Sequence, residues 1–281
     1  MNLIYTQLDD FLRALLREDI GTGDITSESC IPEDVNAIGR FIAKESGIIC
    51  GLDIAVQLFE LVDKSVIFEP IKNDGDLVNK GDIIANISGP AISILIGERT
   101  AINLMGHLSG VATKTAEYVK LVQGTKAKIL DTRKTTPGLR VLEKYAVRSG
   151  GGTNHRYNLS DGILIKDNHI KAAGGITNAV AKVREKNVNN LKIEVETESL
   201  EEVKEALEAG VDIIMLDNMT TDMMAEAVKF IDGRAATEAS GNMGDLGSRD
   251  LLEVAKTGVD FISIGALTHS VKTFDISLIL D

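Results

Sequence analysis

The sequence predicts an α/β protein in two parts: an N-terminal α/β sandwich lobe, then a parallel β/α barrel that is open or incomplete. Three observations predict it. Short β-branched runs crowd the stretch 36–87, whereas beyond residue 125 apolar runs alternate with helical patterns, the signature of parallel strands with crossover helices. The later runs end in polar residues or glycine, at Arg133, Lys166, Glu196, Asp217, Ser240 and Gly265, spaced 21 to 33 residues apart as single βα units are. Groups from so many strand ends converge only if the sheet curls toward closure, with the site at the C-terminal face. An open doubly wound sheet would collect its site from one crevice. The division is placed at 110/111, giving a lobe of 1–110 and a barrel of 111–281 that carries a C-terminal tail.

The elements follow in order. Leu8, Phe11, Leu12, Leu15 and Leu16 repeat at helical spacing over 3–18, and Gly21 and Gly23 end that helix. Strands are expected at 37–43, 47–50, 65–70 and 82–87, interrupted by a helix over 53–62. The turns Asp74-Gly75-Asp76 and Lys80-Gly81-Asp82 mark a hairpin zone. A long helical region spans 94–122, with Gly106 or Gly110 as the expected break. Six barrel strands then fall at 127–130, 162–165, 191–195, 211–216, 235–238 and 260–264, with helices such as 200–209 and 223–231 between them. Six is fewer than the eight of a closed barrel.

Composition narrows the function. In 281 residues, 44% are hydrophobic but only 4% are aromatic and none is Trp, so the core is aliphatic and base-stacking platforms are not expected. The chain carries a net charge of −12, yet residues 126–171 hold ten basic and four acidic residues. A compact cationic island in an acidic protein suits a small, highly anionic substrate and not a nucleic-acid surface. The N-terminus has early acidic residues and no cationic segment ahead of an apolar one, so it does not read as a signal peptide. No apolar run reaches membrane-spanning length. Cys30 and Cys50 sit among apolar residues without CxxC spacing, which reads as two buried thiols in a reducing cytoplasm.

Arg133, Lys134, Arg156 and Lys166 are the candidate substrate-binding cations. Arg offers a planar fork to carboxylate or phosphate, and Lys a point charge. A loop lysine is usually solvated, but Lys166 follows Ile163-Leu164-Ile165 and precedes Asp167-Asn168-His169 directly. Glu196 and Asp217 are the matching anions at neighbouring strand ends. They could hold Mg²⁺ together with substrate oxygens, bond a sugar diol, or act as acid and base. For Asp217 the plainer alternative is a helix N-cap. Glu194 shares a strand face with Glu196, the one nearer the strand end. His155 follows the Gly150-Gly151-Gly152 triplet, which permits positive φ and close backbone approach to an anion; the alternative is a hydrogen-bonded structural histidine. His169 and His269 read as orienting neighbours, and no histidine pair has metal-ligand spacing. Ser240-Gly241-Asn242 and Gly265-Ala266 end late strands, the usual place for barrel phosphate sites. Gly241, Gly244 and Gly247 form a loose repeat that is not the dinucleotide fingerprint, and no P-loop motif occurs.

An ordered set of segments runs almost the length of the chain: EDIGTGDIT, GIICGLDIA, ERTAINLMGHLSGVAT, DTRKTTPGLR, EKYAVRSGGGTNHR, LIKDNHI, EVET, MLDNM, EASGN and GVDFISIGALTHS. In these the sequence resembles quinolinate phosphoribosyltransferase. The resemblance implies an N-terminal sandwich lobe, an open barrel and a homodimer. It also implies a reaction that joins quinolinate to 5-phosphoribosyl 1-pyrophosphate, releasing pyrophosphate and CO₂ and forming nicotinate mononucleotide. By motif, Arg133, His155, Arg156 and Lys166 would hold quinolinate, with Arg99 supplied by the neighbouring subunit. Lys134, Glu196 and Asp217 would face the phosphoribosyl donor, with Mg²⁺ as cofactor. Ser240, Gly241, Asn242, Gly265 and Ala266 would bind phosphate, and Thr132 and Ile264 complete the substrate-binding set. Lys166, Glu196, Asp217 and Lys134 are the expected catalytic groups. One segment departs from the family pattern: NMGDLGSR, from Asn242 to Arg249, is about three residues longer. The rival readings are a paralogue of the same fold found with molybdenum transport, and a non-catalytic nucleotide-binding module. The NHR and KDNH segments favour quinolinate chemistry.

Overall fold

A computed structural model describes residues 2–243 and 249–281, with side chains from Leu8 onward. Gly244 and Gly247, and with them most of the longer loop, lie outside the described residues. In chain order the elements are α1 (Asn2–Ile20), α2 (Ile25–Cys30), β1 (Asn36–Ala43), β2 (Gly47–Ile48), α3 (Leu52–Val62), β3 (Ile67–Pro70), β4 (Leu77–Val78), β5 (Ile83–Pro90) and α4 (Ala91–Leu121). They continue with β6 (Lys128–Leu130), α5 (Arg140–Ser149), β7 (Ile163–Ile165), α6 (Asp167–Ala173), α7 (Ile176–Lys186), β8 (Ile193–Thr197), α8 (Leu200–Glu208), β9 (Ile213–Asp217), α9 (Thr221–Ile231), β10 (Ala236–Ser240), α10 (Leu251–Lys256), β11 (Phe261–Ser263), α11 (Ala266–His269) and β12 (Ile276–Leu280). Two compact units result, 1–114 with 271–281, and 115–270.

The first unit is built on an antiparallel sheet in the order β12-β1-β5-β3. Alternation along β1 buries Gly39, Phe41 and Ala43 on one face. Phe41 meets Phe59 of α3 and Phe68 of β3, with ring centroids 5.2 to 6.2 Å apart. Three of the chain's eleven aromatic residues thus meet where one helix covers the sheet. The zone expected to be a hairpin holds only the short β4, which pairs not with a sequence neighbour but with β2, Gly47 to Val78 and Ile48 to Leu77. Leu12 and Leu16 anchor α1 at i, i+4 spacing.

Three details differ from the sequence expectation. The helix α4 runs unbroken through Gly106 and Gly110. A Cβ at either would come within 2.8 Å of the Phe274 carbonyl oxygen or 2.3 Å of the Lys272 carbonyl oxygen, so the glycines admit the returning chain against the helix. That chain explains the second difference. The tail expected with the barrel belongs to the first unit, because β12 pairs antiparallel with β1 from Gly39–Leu280 to Ala43–Ile276. A free sheet edge is costly, and the last strand covers one. The chain division falls inside α4, at 114/115. Third, Cys50 is buried but Cys30 is exposed, because the six-residue α2 buries only Ser27.

The second unit contains the six expected strands, all parallel, in the order β6-β11-β10-β9-β8-β7. One further piece of backbone joins the sheet outside these six strands. Thr153 makes an isolated parallel bridge to Leu130 on the outer side of β6. The sheet therefore has an irregular seventh position at one edge and β7 at the other, an open barrel.

Candidate active site

The six strands set their C-terminal ends side by side, and a cavity of about 260 Å³ opens there. Thr132, Arg133 and Lys134 reach it from the loop after β6, His155 and Arg156 from the segment after the Thr153 bridge, Lys166 from the end of β7 and Ser240 from the end of β10. Leu164, Met215, Glu238 and Ser263 complete the lining. Leu164 and Met215 are apolar and offer walls for a flat ring.

The cations are held in different ways. The Arg156 Nη1 donates to the Gly162 carbonyl at 3.0 Å. Burial, and then the adjacent Arg133 charge, depress the Arg156 pKa, with Glu194 opposing. The Arg133 Nε is buried and has no protein acceptor. Two guanidiniums close enough to repel, one with an orphaned N–H, fit a ligand that brings more than one anionic oxygen. Lys166 is the N-cap residue of α6, where its backbone N–H donates to His169 Nδ1 at 2.9 Å. His169 thus orients a neighbour, as expected. The Lys166 Nζ lies 2.9 Å from Glu196 Oε2. The Lys134 side chain lies over Gly265, and Thr268 Oγ1 donates to the Lys134 carbonyl at 2.8 Å.

Glu196 and Asp217 flank the cavity without lining it. Asp217 is not the helix cap: Thr220 caps α9 by accepting from Met223 N at 3.3 Å. Asp217 instead accepts from Asn218 Nδ2 at 2.7 Å. Asn218 and Asn242 both have positive φ, +55° and +52°, and Asn218 N donates to the Ser240 carbonyl at 3.0 Å. A Cβ on Gly241 would fall 2.2 Å from Asn218 Oδ1, so this strand end requires glycine. In this way Asp217, Ser240, Gly241 and Asn242 form one stitched edge. Ile264 is buried and donates its N–H to the Leu130 carbonyl at 2.9 Å, fixing Gly265 and Ala266 beside the loop after β6. Arg99 is an exposed residue of α4 in the first unit.

The glycine triplet has a different role from the expected one. Gly150 ends α5, Gly151 turns the chain at φ +85°, and a Cβ on Gly152 would meet Thr115 and Val147 within 2.8 Å. The triplet makes a tight return to the Thr153 bridge and does not line the cavity.

Sequence reasoning missed two buried networks behind the cations. In the first, Lys144 Nζ lies 2.5 Å from Asp131 Oδ1 and 3.0 Å from the His155 carbonyl. Asp131 also accepts from His155 N at 2.8 Å and Asn154 Nδ2 at 2.6 Å. Burial pushes the Asp131 carboxyl up and the Lys144 ammonium down, and their contact opposes both shifts. In the second, the His155 Nε2 lies 3.2 Å from Glu194 Oε2 and 3.6 Å from Glu238 Oε2. Burial, then the Glu194 charge, push Glu238 up to about 8. Burial works against protonation of His155, but its hydrogen bond to Glu194 and the charges of Glu238 and Glu194 outweigh it and raise the ring's pKa. The Arg156 N–H donates to His155 Nδ1 at 2.7 Å. A doubly protonated ring would lose that contact, so the two states exclude each other. The available signal was a carboxylate in mid-strand: Glu194 lies between Ile193 and Val195, and Glu238 between Thr237 and Ala239, in strands that are otherwise buried along most of their length.

The chain matches the family model described as quinolinate phosphoribosyl transferase, C-terminal domain, over residues 111–279, and the corresponding N-terminal domain over 24–109. It is 47% identical to a protein of Bacillus subtilis named probable nicotinate-nucleotide pyrophosphorylase (carboxylating), over 98% of this chain and 93% of that one. A protein of Synechocystis with the same name is 46% identical, covering 96% and 92%. The solved nicotinate-nucleotide pyrophosphorylase of Francisella tularensis superposes with a TM-score of 0.93 at 43% identity, covering 98% of this chain and 96% of that one.

Proposed function

The chain belongs to the quinolinate phosphoribosyltransferase family, and from that premise we propose which of its residues carry the reaction. The enzyme transfers the phosphoribosyl group of 5-phosphoribosyl 1-pyrophosphate to quinolinate, with loss of CO₂ and pyrophosphate, and forms nicotinate mononucleotide for NAD synthesis. The observation that carries the site assignment is the pairing of Arg133 and Arg156 at one cavity, with the Arg133 Nε lacking a protein acceptor. A pyridine dicarboxylate brings the acceptors and a flat ring for the walls at Leu164 and Met215. Lys166 sits where a carboxylate and the donor meet, and Lys134 faces the donor with Glu196 and Asp217. Backbone groups at Gly241, Asn242, Gly265 and Ala266 take phosphate oxygens.

The reaction then depends on placement. Loss of pyrophosphate leaves positive character at ribose C1, which nearby carboxylates stabilise. The pyridine nitrogen attacks C1, and the pyridinium so formed withdraws the electron pair of the C2–carboxylate bond, so CO₂ departs and a proton takes its place. Arg133 and Arg156 hold the ring in line with C1, so that attack needs no further ordering of the two substrates.

Glu196 and Asp217 suit a hard divalent cation by their donor atoms. Glu196 pairs with Met215 across β8 and β9, so Asp217 stands two residues beyond it. That offset suits Mg²⁺ held jointly with substrate oxygens better than a compact two-carboxylate chelate. Bound there, Mg²⁺ would neutralise the leaving pyrophosphate. Purified protein given quinolinate and donor should release CO₂, stop with EDTA and resume with Mg²⁺. Binding without turnover would favour the non-catalytic module, and stoichiometric zinc in active protein would contradict the Mg²⁺ assignment.

No helix among the described residues is long and apolar enough to cross a membrane; a cytoplasmic location is part of the proposal. So is a homodimer whose sites are shared, with Arg99 acting in the partner's site. A two-fold dimer closes both sites symmetrically. Arg99→Ala and Lys166→Ala, unfolded and refolded together, should recover activity that neither has alone. Random pairing makes about half the dimers mixed, each with one complete site, so about a quarter of wild-type activity should return. No recovery when mixed dimers are shown to form would mean that Arg99 does not act in trans.

A further inference from the structure

Two buried carboxylates close on one imidazole, and the assigned reaction gives them no part. Glu194 faces inward from β8 and Glu238 from β10, with 4% and 1% of their surfaces exposed. Their Oε2 atoms approach His155 Nε2 at 3.2 and 3.6 Å, while their Oε1 atoms are buried and unpartnered. The other ring nitrogen accepts from the Arg156 N–H, so Nε2 carries the proton and both nitrogens are committed to protein groups. His155 can therefore offer neither nitrogen to a ligand without breaking a protein contact.

Burying two glutamates against a single ring is expensive, and apolar residues of similar size would commonly give a more stable protein. What the arrangement secures is geometry. The His155 N–H and carbonyl are already fixed by Asp131 and Lys144. The ring is the remaining movable part, and it holds the backbone amide from which the Arg156 side chain starts.

We infer that Glu194 and Glu238 are positioning residues, a buried carboxylate clamp that locks the His155 ring and, through it, the approach of Arg156 to the substrate. The inference rests on the quinolinate role proposed for this cavity. It also separates the two buried glutamates from Glu196 and Asp217, which serve the donor.

The clamp should show in the split between kinetic constants. Glu238→Ala should raise KM for quinolinate about tenfold or more, because small misplacements of a binding group have effects of this size. The KM for the phosphoribosyl donor should stay within roughly twofold, as expected when only one substrate's binding is lost. Glu238→Gln, which keeps the shape of the side chain beside the ring, should recover most of the loss. Added to His155→Ala, Glu238→Ala should change KM no further, since its effect passes through the ring. Equal rises in both KM values, or full additivity with His155→Ala, would overturn the clamp. A second measurement does not need turnover. The wild-type protein should show a slowly exchanging imidazole N–H proton by NMR, assigned through His155→Ala and lost when Glu194 and Glu238 are both Ala. Its persistence would overturn the clamp, whereas a wild type that cannot use quinolinate would overturn only the functional reading. The three ligand atoms lie within 4.8 Å of one another. Stoichiometric metal that disappears in Glu238→Ala would make them a metal site instead.

Discussion

Lys166→Ala should lower kcat/KM by about 2–4 kcal/mol of transition-state stabilisation, or roughly 30- to 1,000-fold, while leaving thermal unfolding unchanged. The side chain of Lys166 is 46% exposed and pairs with Glu196, so it contributes little to packing. Its backbone N–H, which caps α6 through His169, survives the substitution. Removing the ammonium has two consequences at the strand end. A cation is lost from the anionic substrate, and the Glu196 carboxylate is left without its counter-ion beside the donor's phosphates. Lys166→Arg should recover little, because a planar fork does not reproduce a point charge held 2.9 Å from Glu196. Wild-type kcat/KM in Lys166→Ala, with unchanged melting, would remove Lys166 from the site.

Lys144→Ala should destabilise the second unit by about 3–5 kcal/mol, because it leaves Asp131 buried without its cation. A loss of that size corresponds to a fall in melting temperature on the order of 10 °C. Lys144 is 3% exposed and Asp131 0%, so water cannot replace the partner. The deficit should grow as pH rises. Burial already pushes the Asp131 carboxyl up. Without Lys144 it is pushed further, and a carboxyl whose folded pKa lies above its unfolded value costs stability once pH passes the ordinary carboxylate range. A second variant, Lys144→Met with Asp131→Asn, removes both charges and should regain much of the stability. Its quinolinate binding should stay impaired, because the Lys144 ammonium that holds the His155 carbonyl would be gone. Equal melting of Lys144→Ala and wild type at neutral pH would show that the pair is not structural.

The pattern of strand ends was legible because period and spacing are local properties. The six parallel strands, the polar residue or glycine ending each, and the cationic stretch from Arg133 to Lys166 all follow from hydrophobic alternation and charge along the chain. The boundary of the first unit was not legible. Whether β12 joins the barrel or the lobe depends on which exposed sheet edge it meets, and that edge is formed by β1, more than two hundred residues earlier. Gly106 and Gly110 misled for the same reason. In an isolated helix they weaken it, whereas here they make room for the carbonyls of residues 272 and 274.

The family, the reaction and the identities of the charged groups at the strand ends are all readable from linear order, because motifs and residue chemistry lie in sequence along the chain. The fold alone fixes what those groups do to one another. It sets His155 between Glu194 and Glu238, joins Lys144 to Asp131 beneath the same loop, and brings Arg133 near enough to Arg156 for their charges to repel. Each of these contacts joins different elements of the second unit. Their energies depend on burial and on distances of a few ångströms, which a curled sheet fixes and a linear pattern does not contain.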